Sequence, residues 1–179
     1  MIWPFNHLRP PRTPPRRTIE AIYGMIVAQA REPAFYQQYG VSDTVNGRFE
    51  MIVVHLWLVL RRIRAIPDSA TFAQALFDCF CSDLDANLRE LGVGDLTVPK
   101  RMQAFGEAFY GRSAAYDLAL TEGDEALAMT LDRNVLYGAD IGNGRRLAAY
   151  VGQVIETLDG IAPSKLRNGE LRFPAPPAA

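Results

Sequence analysis

The segment Arg48 to Arg64, RFEMIVVHLWLVLRRIR, limits most sharply what this chain can fold into. From Met51 to Leu60 every residue except His55 is apolar, so about three helical turns have no wet face. Such a segment belongs in the middle of a core. It is too short to cross a bilayer, which takes roughly 17–25 apolar residues. It ends in Arg61, Arg62 and Arg64, and cations suit a helix C-terminus. The expectation is a central buried helix over about residues 48–65.

The flanking segments supply partners for it. Ile19, Ile22, Tyr23, Ile26, Val27 and Ala30 recur at helical spacing, with Thr18 as the expected N-cap and Pro33 beyond the end. After Pro67, with Asp68 or Ser69 as cap, Phe72, Leu76, Phe80, Leu84 and Leu88 repeat every fourth residue, widened by Phe77 and Leu91. Gly92 and Gly94 end that helix. A fourth carries Met102, Phe105, Phe109, Tyr116 and Leu120, with Gly106 and Ser113 placed for close approach of a neighbour. A short helix follows Asp124, with Leu127, Leu131 and Val135, and Gly138 closes it. Asn143 or Gly144 opens the last, with Leu147, Tyr150, Val151, Val154, Leu158 and Ile161 facing inward. No strand pattern or repeat is present. The expected fold is all-α, a compact bundle of about six helices around the apolar one.

The organisation is one domain, residues 18–162, between a basic proline-rich arm (1–17) and a proline-rich tail (163–179), both expected to be flexible. The 179 residues suffice for such a core without staples. In the arm, five prolines exclude a continuous helix, and no stretch has the apolar length of a signal peptide. Trp3 and Phe5 with Arg9, Arg12, Arg16 and Arg17 suit peripheral contact with an anionic membrane surface; a merely disordered arm is the alternative. A net charge of −1 argues against a dedicated nucleic-acid binder. Two cysteines, Cys79 and Cys81, point to a reducing compartment, with the cytoplasm as the expected location.

Chemistry-bearing residues are few. His7 and His55 are the only histidines, and two cysteines two apart on a helix diverge by roughly 200°. Neither a metal site nor a cofactor site is expected. His55, inside the apolar run, reads as a hydrogen-bonded core residue. No nucleophile has a base beside it, and GVGD lacks the GK[ST] ending of a phosphate loop. An enzyme is not expected. In the connector before the central helix, Phe35, Tyr36 and Tyr39 either roof the core or form part of a partner-binding surface, with Gly40 and Gly47 as breakers.

Three long strings carry a resemblance: Tyr23–Arg64, Gln74–Met102 and Ala108–Leu120. The most specific pieces are P-x-F-Y…G-V-x-D-T-x-x-G-R-F-x-M, from Pro33 to Met51, and R-E-x-G-V-G-D-L-x-V-P-K-x-M, from Arg89 to Met102. In order and spacing they resemble the ubiquinol–cytochrome c chaperone family, in its α-proteobacterial form, over roughly residues 20–140. The resemblance implies an all-helical, non-enzymatic assembly chaperone for cytochrome b in biogenesis of ubiquinol–cytochrome c reductase. Its partners would be newly made cytochrome b or other reductase subunits. The chain lacks the long N-terminal extension of a mitochondrial precursor, which favours the bacterial form.

A chaperone for a membrane-protein client needs an apolar surface rimmed by polar groups. Two stretches within the family-like strings qualify. One is the connector, with Phe35, Tyr36, Tyr39 and Val41 and with Arg48 just after it. The other is the loop before the fourth helix, with Leu96, Val98, Pro99, Lys100 and Arg101. Two alternatives stay open: an adaptor for a soluble partner using the acidic stretch Asp117–Asp132, and a haem or quinone carrier with a pocket around His55.

Overall fold

The computed structural model describes residues 13–177, and among them all regular structure is helical. Eight α-helices occur in this stretch: α1 Arg16–Ala30, α2 Pro33–Gln37, α3 Val45–Arg64, α4 Ala70–Glu90, α5 Val98–Glu122, α6 Asp124–Leu131, α7 Ile141–Asp159 and α8 Pro163–Arg167. A π-helical turn, Asp132–Leu136, prolongs α6. The two five-residue helices α2 and α8 are too short to leave a periodic signal, which is why about six helices were expected.

Helix α3 is the buried axis, packed by α1, α4, α5, α7 and the π-turn. From Met51 to Leu60 every residue but Ile52 is buried. It begins at Val45, three residues before the expected start, because the Thr44 hydroxyl accepts from the Gly47 N–H at 3.1 Å. Gly47 is therefore no breaker: a Cβ there would stand 2.0 Å from the Ser42 carbonyl oxygen. At the other end Arg62 donates to the carbonyls of Leu158 at 2.9 Å and Ile161 at 2.7 Å. It thereby satisfies the C-terminal end of α7, which runs parallel to α3.

Several boundaries differ from the sequence-based ones. Helix α1 starts at Arg16, with Pro15 rather than Thr18 as cap; the Pro15 carbonyl accepts from Thr18 at 2.8 Å and Ile19 at 3.2 Å. Helix α7 starts at Ile141, because Asp140, whose carboxylate accepts from Gly142 at 2.8 Å, is a better cap than Asn143. Gly106 has open space where its Cβ would be, so no helix approaches there. Leu91, assigned to the inner stripe of α4, lies beyond the last turn and is 75% exposed.

The tail, expected to be flexible, lies against the body: α8 buries Leu166, and Leu171 is buried after a turn at Gly169 (φ +82°). Phe173 then lies against His55, with ring centroids 5.3 Å apart. Proline has no N–H to donate, but its carbonyl still accepts: Gln29 donates to Pro174 at 3.1 Å and Tyr39 to Pro177 at 2.9 Å.

Candidate functional site

Helices α4 and α5 form a long hairpin. Where it joins the body, Phe77 and Phe80 of α4 meet Phe109 of α5, and Phe105 packs at a tilt against Phe49 of α3, with centroids 5.0 Å apart. Farther out, Leu88 and Val98 are buried but belong to no part of the main core. Leu88 lies near the end of α4 and Val98 at the start of α5, on either side of the turn. The turn is fixed by Gly92 (φ +77°) and by bonds from Val93 to Leu88 at 3.0 Å and Thr97 to Gly94 at 2.8 Å. Arg89 is held between Asp85, at 2.7 Å, and Asp95.

This rigid turn exposes Leu91 and, at 98%, Leu96. Pro99, Lys100 and Arg101 follow, all exposed. Among the described residues neither cation has an ion-pair partner, and the first turn of α5 holds no acid. Cations at a helix N-terminus oppose the helix dipole by about 0.3–1 kcal/mol each. Such an arrangement suits a partner that is apolar and carries anionic groups.

Of the residues expected to bind, the structure gathers Leu96, Pro99, Lys100 and Arg101 at this tip, while Val98 is buried beneath them. The connector divides differently. Phe35, Tyr39 and Val41 are buried, so in this structure they roof the core. The reason is a cluster of rings: Phe35 packs edge-on to Tyr39 at 5.6 Å, His55 at 5.5 Å and Tyr150 at 5.0 Å. Tyr36 is half-buried and donates to the Ala30 carbonyl at 2.7 Å. Arg48 is exposed and pairs with Asp43 at 2.7 Å, which holds the aspartate below the usual carboxylate range. In the arm, Trp3, Phe5, Arg9 and Arg12 lie outside the described residues. Arg16 and Arg17 open α1, both exposed, with Arg16 paired to Glu20 at 2.7 Å.

His55 occupies no open pocket. Its Nδ1 lies 2.7 Å from the Met51 carbonyl and its Nε2 2.8 Å from the Tyr150 hydroxyl. The carbonyl can only accept, so Nδ1 carries the proton and Nε2 accepts from Tyr150. Burial lowers its pKa to about 4, and it is neutral near pH 7. Both ring nitrogens are engaged, which leaves no lone pair for a haem iron. Among the described residues no group of three or more His, Cys, Asp or Glu is placed to hold a metal. The acids of the 117–132 stretch are partly spent internally: Asp117 accepts from Trp57 at 2.8 Å, Asp132 from the Asp140 N–H at 3.1 Å, and Glu125 pairs with Arg145 at 2.6 Å.

Two features left no trace in the sequence. Glu50, buried on α3, makes a two-pronged ion pair with Arg112 of α5. Burial pushes its carboxyl up while the guanidinium pulls it down, and the net direction is upward. The partners are 62 residues apart, beyond any local pattern. Near them Tyr137 closes the π-turn in the left-handed region (φ +59°).

Fold and tip together define an all-helical domain with an exposed, cation-flanked hairpin. The chain belongs to the ubiquinol-cytochrome C chaperone family, whose model matches residues 37–173. That span includes the packed tail through Phe173. The chain is 24% identical over 146 residues to ubiquinol-cytochrome-c reductase complex assembly factor 1 of Xenopus laevis, covering 78% of this chain and 72% of that protein. It is 24% identical over 149 residues to the mitochondrial protein CBP3 of Saccharomyces cerevisiae, of which it spans 44%. The crystal structure of the Cbp3 homolog from Brucella abortus superposes with a TM-score of 0.80 at 38% identity, over 89% of this chain and 90% of that one.

Proposed function

We propose that this chain is an assembly chaperone for ubiquinol–cytochrome c reductase that holds newly made cytochrome b, without catalysing a reaction. The observation that carries this is the family membership across most of the domain, together with a fold shared with the Brucella abortus homolog. The physical part of the reading is the hairpin tip. Newly made cytochrome b presents apolar helices with polar loops; Leu91 and Leu96 meet the first and Lys100 and Arg101 the second. No helix among the described residues is long and apolar enough to cross a membrane. Contact with the bilayer is assigned to the basic arm, at the cytoplasmic face of the inner membrane.

The test places a photo-crosslinking amino acid at Leu96 and, as control, at the exposed Gln153 of α7, in cells synthesising cytochrome b. Capture of newly made cytochrome b from position 96 but not from 153 is expected. Capture from neither, by a folded protein, would contradict the reading.

A further inference from the structure

Residues Leu171–Pro177, LRFPAPP, take up neither helix nor strand, yet lie in a groove bounded by α1, the connector, α3 and α7. Three of the seven are prolines, which stiffen the chain in an extended form and lower the entropy lost on docking. The groove meets them with one ring contact and two hydrogen bonds to proline carbonyls. Phe173 supplies the ring, against His55 at 5.3 Å. Gln29 and Tyr39 supply the donors, aimed at the carbonyls of Pro174 and Pro177.

The receiving side also has bonds of its own that do not involve the tail. The Gln29 amide also donates to the Tyr150 hydroxyl at 3.0 Å, and Tyr150 is bonded to His55, which is bonded to Met51. The rings of Phe35, Tyr39 and Tyr150 pack on one another. The seated segment, by contrast, is only partly covered: Phe173, Pro174 and Pro176 are half-buried, and Arg172, Ala175 and Pro177 are exposed. A slot with two donors aimed at the segment's carbonyls and a histidine ring against its phenylalanine, holding a shallow extended strap, has the form of a peptide site with its ligand attached.

We propose that the groove formed by Gln29, Phe35, Tyr39, His55 and Tyr150 is a binding site for extended, proline-rich segments bearing an aromatic residue, and that residues 171–177 of this chain occupy it as a built-in competitor. The proposal does not depend on the assembly role, since it is tested on the isolated protein. A tethered segment acts at an effective concentration on the order of 1 mM, so a free peptide with a Kd of about 0.1 mM is weakened roughly tenfold by the intact tail.

The experiment compares the full chain with a truncation ending at Glu170, using a fluorescently labelled LRFPAPP peptide and its Phe→Ala version. The truncated protein is expected to keep its helical circular dichroism and to bind the peptide at one site, about tenfold more tightly than the full chain does. It should bind the Phe→Ala peptide at least about tenfold more weakly than LRFPAPP. A folded truncation that does not bind, or equal binding by both proteins, would overturn the proposal. A full chain that dimerises through residues 172–179 would also overturn it, because the tail would then fill a second copy's groove. If the truncation unfolds, the full-length Phe173→Ser variant replaces it, with the same expected and contrary results.

Discussion

Both nitrogens of the His55 ring are committed inside the protein, to Met51 and Tyr150, and this gives the chain a titration that stability measurements can read. The folded-state pKa, about 4, lies below the ordinary value of 6.5. The unfolded chain therefore takes up a proton first as pH falls, and stability contributed above pH 6.5 is lost on the way down to pH 4. Between pH 7.5 and 5.0 the loss from this residue is about 2 kcal/mol. His55→Asn lowers stability at every pH by disturbing the relay, but the drop in melting temperature between the two pH values should be several degrees smaller than in the unaltered protein. An equal drop in both would mean that the ring is accessible to protons in the fold. The core role of His55 was legible, because one polar residue in an apolar run must be hydrogen-bonded. Its partner was not: Tyr150 is 95 residues away and sits within an ordinary helical stripe.

At the scale of elements, the connector and the hairpin tip looked alike in sequence, each an apolar loop within a family-like string, and the fold separates them. Phe35 is 0% exposed and Leu96 98%. Phe35→Ser removes a buried ring and should cost about 4 kcal/mol, lowering the melting temperature by roughly 8–16 °C. Leu96→Ser should change stability by less than about 0.5 kcal/mol. Thermal denaturation of the two variants checks this, and similar losses in both would place Leu96 in contact with the core. Long periodic helices were readable because burial imposes the 3.6-residue period directly; α1, α4 and α7 show it. Burial of a loop depends on what crosses it, and here the tail crosses the connector through Tyr39 and Pro177. No local pattern records that crossing. Proline-rich composition suggested a loose end, whereas its carbonyls and Phe173 hold it on the body.

For the whole molecule, one apolar helix surrounded by amphipathic ones was implied by Arg48–Arg64 alone, and the core follows that plan. The tip's significance came from a different source. Two exposed leucines beside two cations without ion-pair partners at a helix N-terminus are what the proposed binding role rests on, and the sequence alone did not separate the exposed Leu96 from the buried Val98 two residues on. The most direct measurement is deletion of the gene in its own host, with absorbance spectra and immunoblots of membranes for assembled cytochrome b, and with complementation by the intact chain and by the Leu91→Ser, Leu96→Ser double variant. Loss of assembled cytochrome b while its transcript persists is expected, restored by the intact chain and not by the variant. Normal levels of assembled cytochrome b in the deletion strain would contradict the assembly role.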